Sequence, residues 1–187
     1  MNSYLEIRLL PDPEFPAPIL MSALFAKLHR ALVQHGGGNI GVSFPDVSPT
    51  GPTLGQRLRL HGAAAPLQQL MELNWLQGMR DHAALGDVTA VPANSAHRVV
   101  RRVQAKSNPD RLRRRLMKRH GIELTAARQA IPDSTAERLQ LPYVVLASRS
   151  THQRFRLFIE HLPVQENPVA GGFTHYGLSA SATIPWF

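Results

Sequence analysis

Cysteine is absent from the 187-residue chain. That excludes disulfides and thiolate metal sites, and it fits a reducing, cytoplasmic setting. Acids are scarce as well, 13 against 21 Lys and Arg. No apolar run approaches the ~20 residues that a bilayer-spanning helix needs. Residues 1–6 (MNSYLE) have no basic region leading into an apolar core, so no secretory signal is read. Internal repeats and low-complexity tracts are missing too. What is present is a hydrophobic content of 43%, ordinary for a globular protein and too high for a wholly disordered one. The length suits one large domain or two small ones with a real core.

The positive charge is not spread evenly. Ten of the 21 Lys and Arg fall in residues 98–119, with Asp110 the only acid there. The segment carries +9 and the remainder of the chain −1, for a total of +8. A cluster that dense repels itself unless a polyanion neutralises it, and structured nucleic acid is the leading candidate. A solvated helix face normally mixes signs, whereas this one has no acid after Asp110. The Trp- and Phe-rich opposite face of a membrane-surface helix is also lacking. Charge alone leaves DNA and RNA both open.

The limits of a basic helix over 109–120 are well marked. Ser107 or Asn108 can cap it, Pro109 suits its first position, Asp110 complements its positive end, and Gly121 can close it. On a helical wheel Arg111, Arg114, Arg115, Lys118 and Arg119 cover an arc of about 140°. Leu112 and Leu116 flank that arc, so the helix can dock while presenting a cationic ridge.

Elsewhere the pattern is mixed. Leu5, Ile7 and Leu9 alternate with Glu6 and Arg8 as a half-buried strand, and Leu20, Leu24, Leu28 and Leu32 form a helical stripe over 17–34. Strands over 40–44 and 57–61, a helix over 66–75 and a short strand over 88–91 follow. The order β-α-β-β-α-β predicts a ferredoxin-like domain over residues 1–94. A smaller α+β lobe over 95–187 then carries the basic helix, a helical turn or two over 125–130, and strands over 143–150, 154–160 and 174–181. The fold class expected is therefore α+β.

Nine histidines suggest a metal, but no His-x-x-x-His lies on a helix and acids are few, so no metal site is read. RNA cleavage does not require one, because RNA carries its own 2′-hydroxyl nucleophile and a histidine can move the proton. His29 stands over Phe25 and Met21 at the shoulder of the first helix's apolar face. By position alone that is ordinarily a packing or surface residue. Ser148 and Ser150 close one strand. Phe155 lies between Arg154 and Arg156, an alternation suited to base stacking but equally to a core strand, since Leu157 shares its face.

Several stretches together resemble a known family. They are Arg102-Val103-Gln104-Ala105-Lys106-Ser107-Asn108-Pro109 with Arg111-Leu112-Arg113-Arg114-Arg115-Leu116-Met117, and then Phe155-Arg156-Leu157-Phe158-Ile159. Gly171-Gly172-Phe173-Thr174, Tyr176-Gly177-Leu178-Ser179 and Pro185-Trp186-Phe187 complete the set. Over its full length the chain resembles the type I-F CRISPR-associated endoribonuclease that processes precursor CRISPR RNA.

The resemblance implies a metal-independent, cofactor-free cut on the 3′ side of a repeat hairpin by 2′-hydroxyl attack. His29 would transfer the proton, Ser148 would position the attacking hydroxyl, and Tyr176 would orient His29. Ser150 ends the same strand and could take the place of Ser148. Arg102 and Gln104 would read base edges, and Phe155 would stack under the terminal base pair. Arg111, Arg114, Arg115, Lys118, Arg119 and His120 would line the hairpin's major groove. The family helix favours Arg, and Lys118 offers a point charge instead of a planar fork. The expected partners are the repeat hairpin, the mature guide RNA and other subunits of the type I-F surveillance complex. The chain alone would be a monomer with no membrane partner. The alternatives are a non-catalytic hairpin-binding subunit and, more remotely, a DNA-binding regulatory domain.

Overall fold

The computed structural model of the chain describes residues 1–36, 38–48, 51–104, 109–133, 139–148 and 153–187. In chain order its elements are β1 (Ser3–Leu9), α1 (Ala17–His35), β2 (Gly41–Ser43), β3 (Arg57–Gly62), α2 (Ala64–Glu72), β4 (Ala83–Leu85), β5 (Thr89–Ala90), β6 (Ala96–Val103), α3 (Pro109–His120), α4 (Leu124–Ala130), β7 (Tyr143–Ala147), β8 (Arg154–His161) and β9 (Thr183–Trp186). The chain is mixed α+β, and its strands form antiparallel sheets.

The first sheet runs β2-β3-β1-β4, with β5 also on β1. The apolar alternation of β1 is realised as written: Leu5, Ile7 and Leu9 are buried, and Arg8 is exposed. Against them lies α1, whose Leu20, Leu24, Leu28 and Leu32 are all buried, each contributing ~1.5–3 kcal/mol of apolar burial. Gly36 ends the helix at φ 74°, and its amide returns to the Leu32 carbonyl. The strand expected at 88–91 is instead two pieces. Ile7 faces Leu85 but Ser3 faces Ala90, so the returning chain holds one residue more than β1 between those pairs. That is a bulge, and it falls beside Gly86, whose amide bonds the Glu6 carbonyl.

The second sheet runs β7-β8-β6-β9. The last strand corrects an expectation: residues 174–181 are turn and irregular chain, and the strand is β9 at Thr183–Trp186. Gly177 at φ 68° breaks any extended run there. Pro185 hid β9, but among the described residues this strand pairs with β6 alone, and an edge tolerates a residue without an amide proton. One core draws on both sheets, from Leu5, Val42 and Leu60 to Val144, Leu157 and Ile184. The chain consequently groups as Met1–Val103 with Leu141–Phe187, and separately as Gln104–Gln140. This partition differs from the expected division near residue 94. β6 to β9 share a core with the first sheet, and only α3, α4 and their flanks form a unit of their own.

Buried polar groups tie the larger unit together. Arg59 on β3 is 5% exposed. It donates to Glu6 at 2.8 and 3.1 Å and to the Phe187 carbonyl at 2.9 Å, and it lies 4.0 Å from the Phe187 ring centroid. His61 is fully buried, bonded to the Ser43 hydroxyl at 2.8 Å. Burial, with Arg59 nearby, pushes its pKa down to about 3. His161 sits edge-on to Phe44 and Trp186, and neither ring nitrogen has a hydrogen-bond partner among the described residues. Burial, with some help from Arg98, lowers it to about 4.

Both histidines fold neutral and charge more readily when unfolded, so their contribution is complete above about pH 6.5 and is lost as pH falls toward their folded values. We expect the urea midpoint to fall between about pH 7.5 and about pH 5. In His161→Phe, which removes one of the two groups without opening a cavity, that fall should be smaller. An unchanged slope in the variant would show that His161 is not a source of the acid sensitivity.

Candidate active site and nucleic-acid interface

His29 lies two turns from the end of α1, half-buried, one turn after the fully buried Phe25. Its ring stacks on Tyr176 with centroids 4.2 Å apart and planes 13° from parallel. Phe25 is also parallel to Tyr176, at 6.5 Å and 3°. The Arg102 guanidinium stands 5.7 Å from the same tyrosine centroid. Nδ1 of His29 is 2.9 Å from the His175 carbonyl oxygen. A carbonyl only accepts, so Nδ1 carries the proton, and Nε2 is the basic atom of the neutral ring.

A short turn delivers Tyr176 and the His175 carbonyl. Thr174 amide and hydroxyl both donate to the Leu178 carbonyl, at 2.9 and 3.0 Å, and the Gly177 amide donates to the Thr174 carbonyl at 2.8 Å. The turn is fastened to β2, because the Val42 amide donates to the Gly177 carbonyl at 2.9 Å. Upstream, the Phe173 amide donates to the Gly38 carbonyl at 2.9 Å. Only glycine fits at the closest approach: a Cβ on Gly177 would lie 2.1 Å from Val42 Cγ2, at a φ of 68°.

Ser148 follows the end of β7, and its amide donates to the Gln153 carbonyl at 3.0 Å. β7 is laced to α1 by Ser22, whose hydroxyl accepts the Val145 amide at 3.1 Å and donates to the Pro18 carbonyl at 2.8 Å. Phe155 pairs with Leu146 at the start of β8 and packs half-buried against the core, at the end of the row it shares with Leu157 and Ile159. Ser150 lies outside the described residues, as do Ser107 and Asn108, the cap candidates of α3.

The chain matches, over residues 4–187, the family described as CRISPR-associated protein (Cas_Csy4). It belongs to that family. Two curated members align over the whole of both chains and are each named CRISPR-associated endonuclease Cas6/Csy4. The one from Pseudomonas aeruginosa (strain UCBPP-PA14) is 55% identical over 187 residues. Its counterpart from Escherichia coli (strain UTI89 / UPEC) is 50% identical over 187 residues. A solved structure described as an RAMP protein binding different RNA substrates aligns over 98% of this chain and 99% of its own at 12% identity and a TM-score of 0.34.

In this Csy4-family chain the basic residues fall into two groups. On α3, Arg111, Arg114, Arg115, Lys118, Arg119 and His120 are exposed, while Leu112, Leu116 and Met117 are half-buried. Arg115, Lys118 and Arg119 have no ion-pair partner among the described residues. Gln104 is exposed just after β6. Arg98 and Arg101 are instead committed to structure. Arg101 pairs with Glu160 at 2.8 Å, and Arg98 bonds the Leu162 carbonyl and covers the Trp186 ring at 4.6 Å. No described helix is long and apolar enough to cross a membrane.

The geometry adds parts that sequence reasoning did not find. Neither the His175 carbonyl nor the Ser22 bridge leaves a sequence signal, because the one acts through its backbone and the other lies over a hundred residues from its partner. Arg113 was countable: on the wheel it falls about 190° from the centre of the cationic arc. We expect nitrogen-resolved NMR to find the neutral His29 ring protonated at Nδ1, the reverse of the usual preference of free imidazole. A ring protonated at Nε2 would contradict the His175 contact.

Proposed function

We propose that the chain is an endoribonuclease that binds a CRISPR repeat hairpin and cuts precursor CRISPR RNA on its 3′ side without a metal. The carrying observation is the His29 arrangement, stacked on Tyr176 and held at Nδ1 by a carbonyl so that Nε2 is the base. In the reaction the 2′-hydroxyl loses its proton toward Nε2 and attacks the adjacent phosphorus. The bond to the 5′-oxygen breaks, leaving a 2′,3′-cyclic phosphate and a 5′-hydroxyl that takes up a proton. Ser148 is placed in this reading as the group that positions the attacking hydroxyl, with Ser150 the alternative.

Arg102 and Gln104 read bases at the foot of the stem, and Phe155 stacks beneath its last pair. The exposed bases of α3, from Arg111 to His120, neutralise phosphates along the groove, which an A-form duplex opens only near its end. A ferredoxin-like reading of residues 1–94 is supported by the sheet order β2-β3-β1-β4 with α1 and α2 as the two crossovers. The guide RNA stays bound after cleavage, and other subunits of a type I-F complex join it.

The test is a labelled repeat RNA with excess chelator, alone and with a 2′-deoxy residue at the scissile position. Cleavage should survive the chelator and vanish with the substitution. Cleavage by His29→Ala at the normal rate would sink the chemistry. Tyr176 touches His29 through its ring, and no hydrogen bond of its hydroxyl is seen among the described residues. Tyr176→Phe should therefore cut at close to the normal rate. Tyr176→Ala should be slower by up to about tenfold, the equivalent of one aromatic stack, in single-turnover assays at saturating protein.

A further inference from the structure

Arg113 sits in the middle of the most basic run of the chain and is the one residue of α3 that is fully buried. Its side chain is 5% exposed, whereas its carboxylate partners Asp110 and Asp133 are 82% and 92% exposed. All three guanidinium nitrogens are used. Nε donates to the Ile131 carbonyl at 2.8 Å, Nη1 to Asp110 at 3.2 Å, and Nη2 to Asp133 at 2.6 Å. Ile131 caps α4, and Asp133 lies just beyond it. One planar fork thus joins the first turn of α3, the end of α4 and the segment that follows.

We propose that Arg113 is a positioning residue that pins α3 to α4, and that Asp133 serves RNA binding by holding it. Resting on the functional reading above, the inference assigns one arginine of the run to order its neighbours instead of gripping phosphate. The physical reason is twofold. Arg114, Arg115, Lys118 and Arg119 each lose rotamer freedom on binding, and a ridge whose backbone is already fixed loses less. Two acids beside a phosphate site also repel the ligand, and Arg113 offsets part of their charge. A lysine cannot do the same, because a single ammonium does not span three acceptors in one plane.

The prediction runs opposite to simple charge counting. Removing an exposed carboxylate next to a cationic ridge should tighten RNA binding; if Asp133 holds the pin, its loss should weaken it. The full chain is titrated with labelled repeat hairpin, and the variants are Asp133→Ala, Arg113→Lys and, as a control acid, the exposed Glu123→Ala. We expect roughly tenfold weaker binding for Asp133→Ala and for Arg113→Lys, the size of a lost charge-assisted hydrogen bond. Glu123→Ala should bind as tightly as the unmodified chain or tighter. The losses should lie in Kd, with the saturated single-turnover rate little changed, because His29 belongs to the other compact unit.

Tighter binding by Asp133→Ala, or unaltered binding by Arg113→Lys, overturns the inference and makes Arg113 an ordinary point charge. Asp133→Ala changes an exposed side chain and keeps the test alive if Arg113→Lys does not fold. Failure of the unmodified chain to bind the hairpin would be a different result, since it removes the functional reading itself.

Discussion

The bond from the Val42 amide to the Gly177 carbonyl is the contact on which the candidate site depends. It holds a four-residue turn against β2 so closely that Gly177 has no room for a Cβ. The turn then has one place to put its next side chain, Tyr176, and that place is over His29 and Phe25. The same constraint reaches further. Gly41 lies so near Ile184 and the Phe173 ring that a Cβ there would approach within 2.5 and 2.8 Å. β2, β9 and the glycine-rich segment therefore pack as one body, and the histidine inherits its surroundings from that packing.

Charge is used in two ways. Within the larger unit several arginines are committed: Arg57 to Asp46, Arg59 to Glu6 and two aromatic rings, Arg101 to Glu160, and Arg156 to the Tyr143 ring. These contacts hold the side chains in place, and Arg8, Arg30, Arg102, Arg154 and Arg156 of the same unit are exposed. On α3 the single acid, Asp110, pairs with Arg113, while Arg115, Lys118 and Arg119 are exposed with no ion-pair partner among the described residues. Arg102, near the end of β6, stands over Tyr176, so the ring that stacks on the histidine has a cation on it as well.

Much of this was legible. The alternation in β1 and the leucine stripe of α1 place their residues by period alone, and α3 starts and stops where Pro109 and Gly121 punctuate it. The strand at 174–181 was misread because its apolar and hydroxyl residues alternate well enough, while the positive φ of Gly177 shows only in three dimensions. β9 was missed for the converse reason: Pro185 argues against a strand unless that strand lies at an edge, and edges are a property of the sheet.

Composition and spacing by themselves determined that the chain is α+β, that its excess charge sits on one helix, and that this charge suits a polyanion. Those are local quantities, set by periodicity and by counting. Tertiary structure decided the rest. It brought a turn nearly 150 residues away onto the His29 ring, and it gave Arg113 its partners at Ile131 and Asp133. Neither outcome is written locally, because each depends on which backbone approaches within a few ångströms, and that follows from packing the core as a whole.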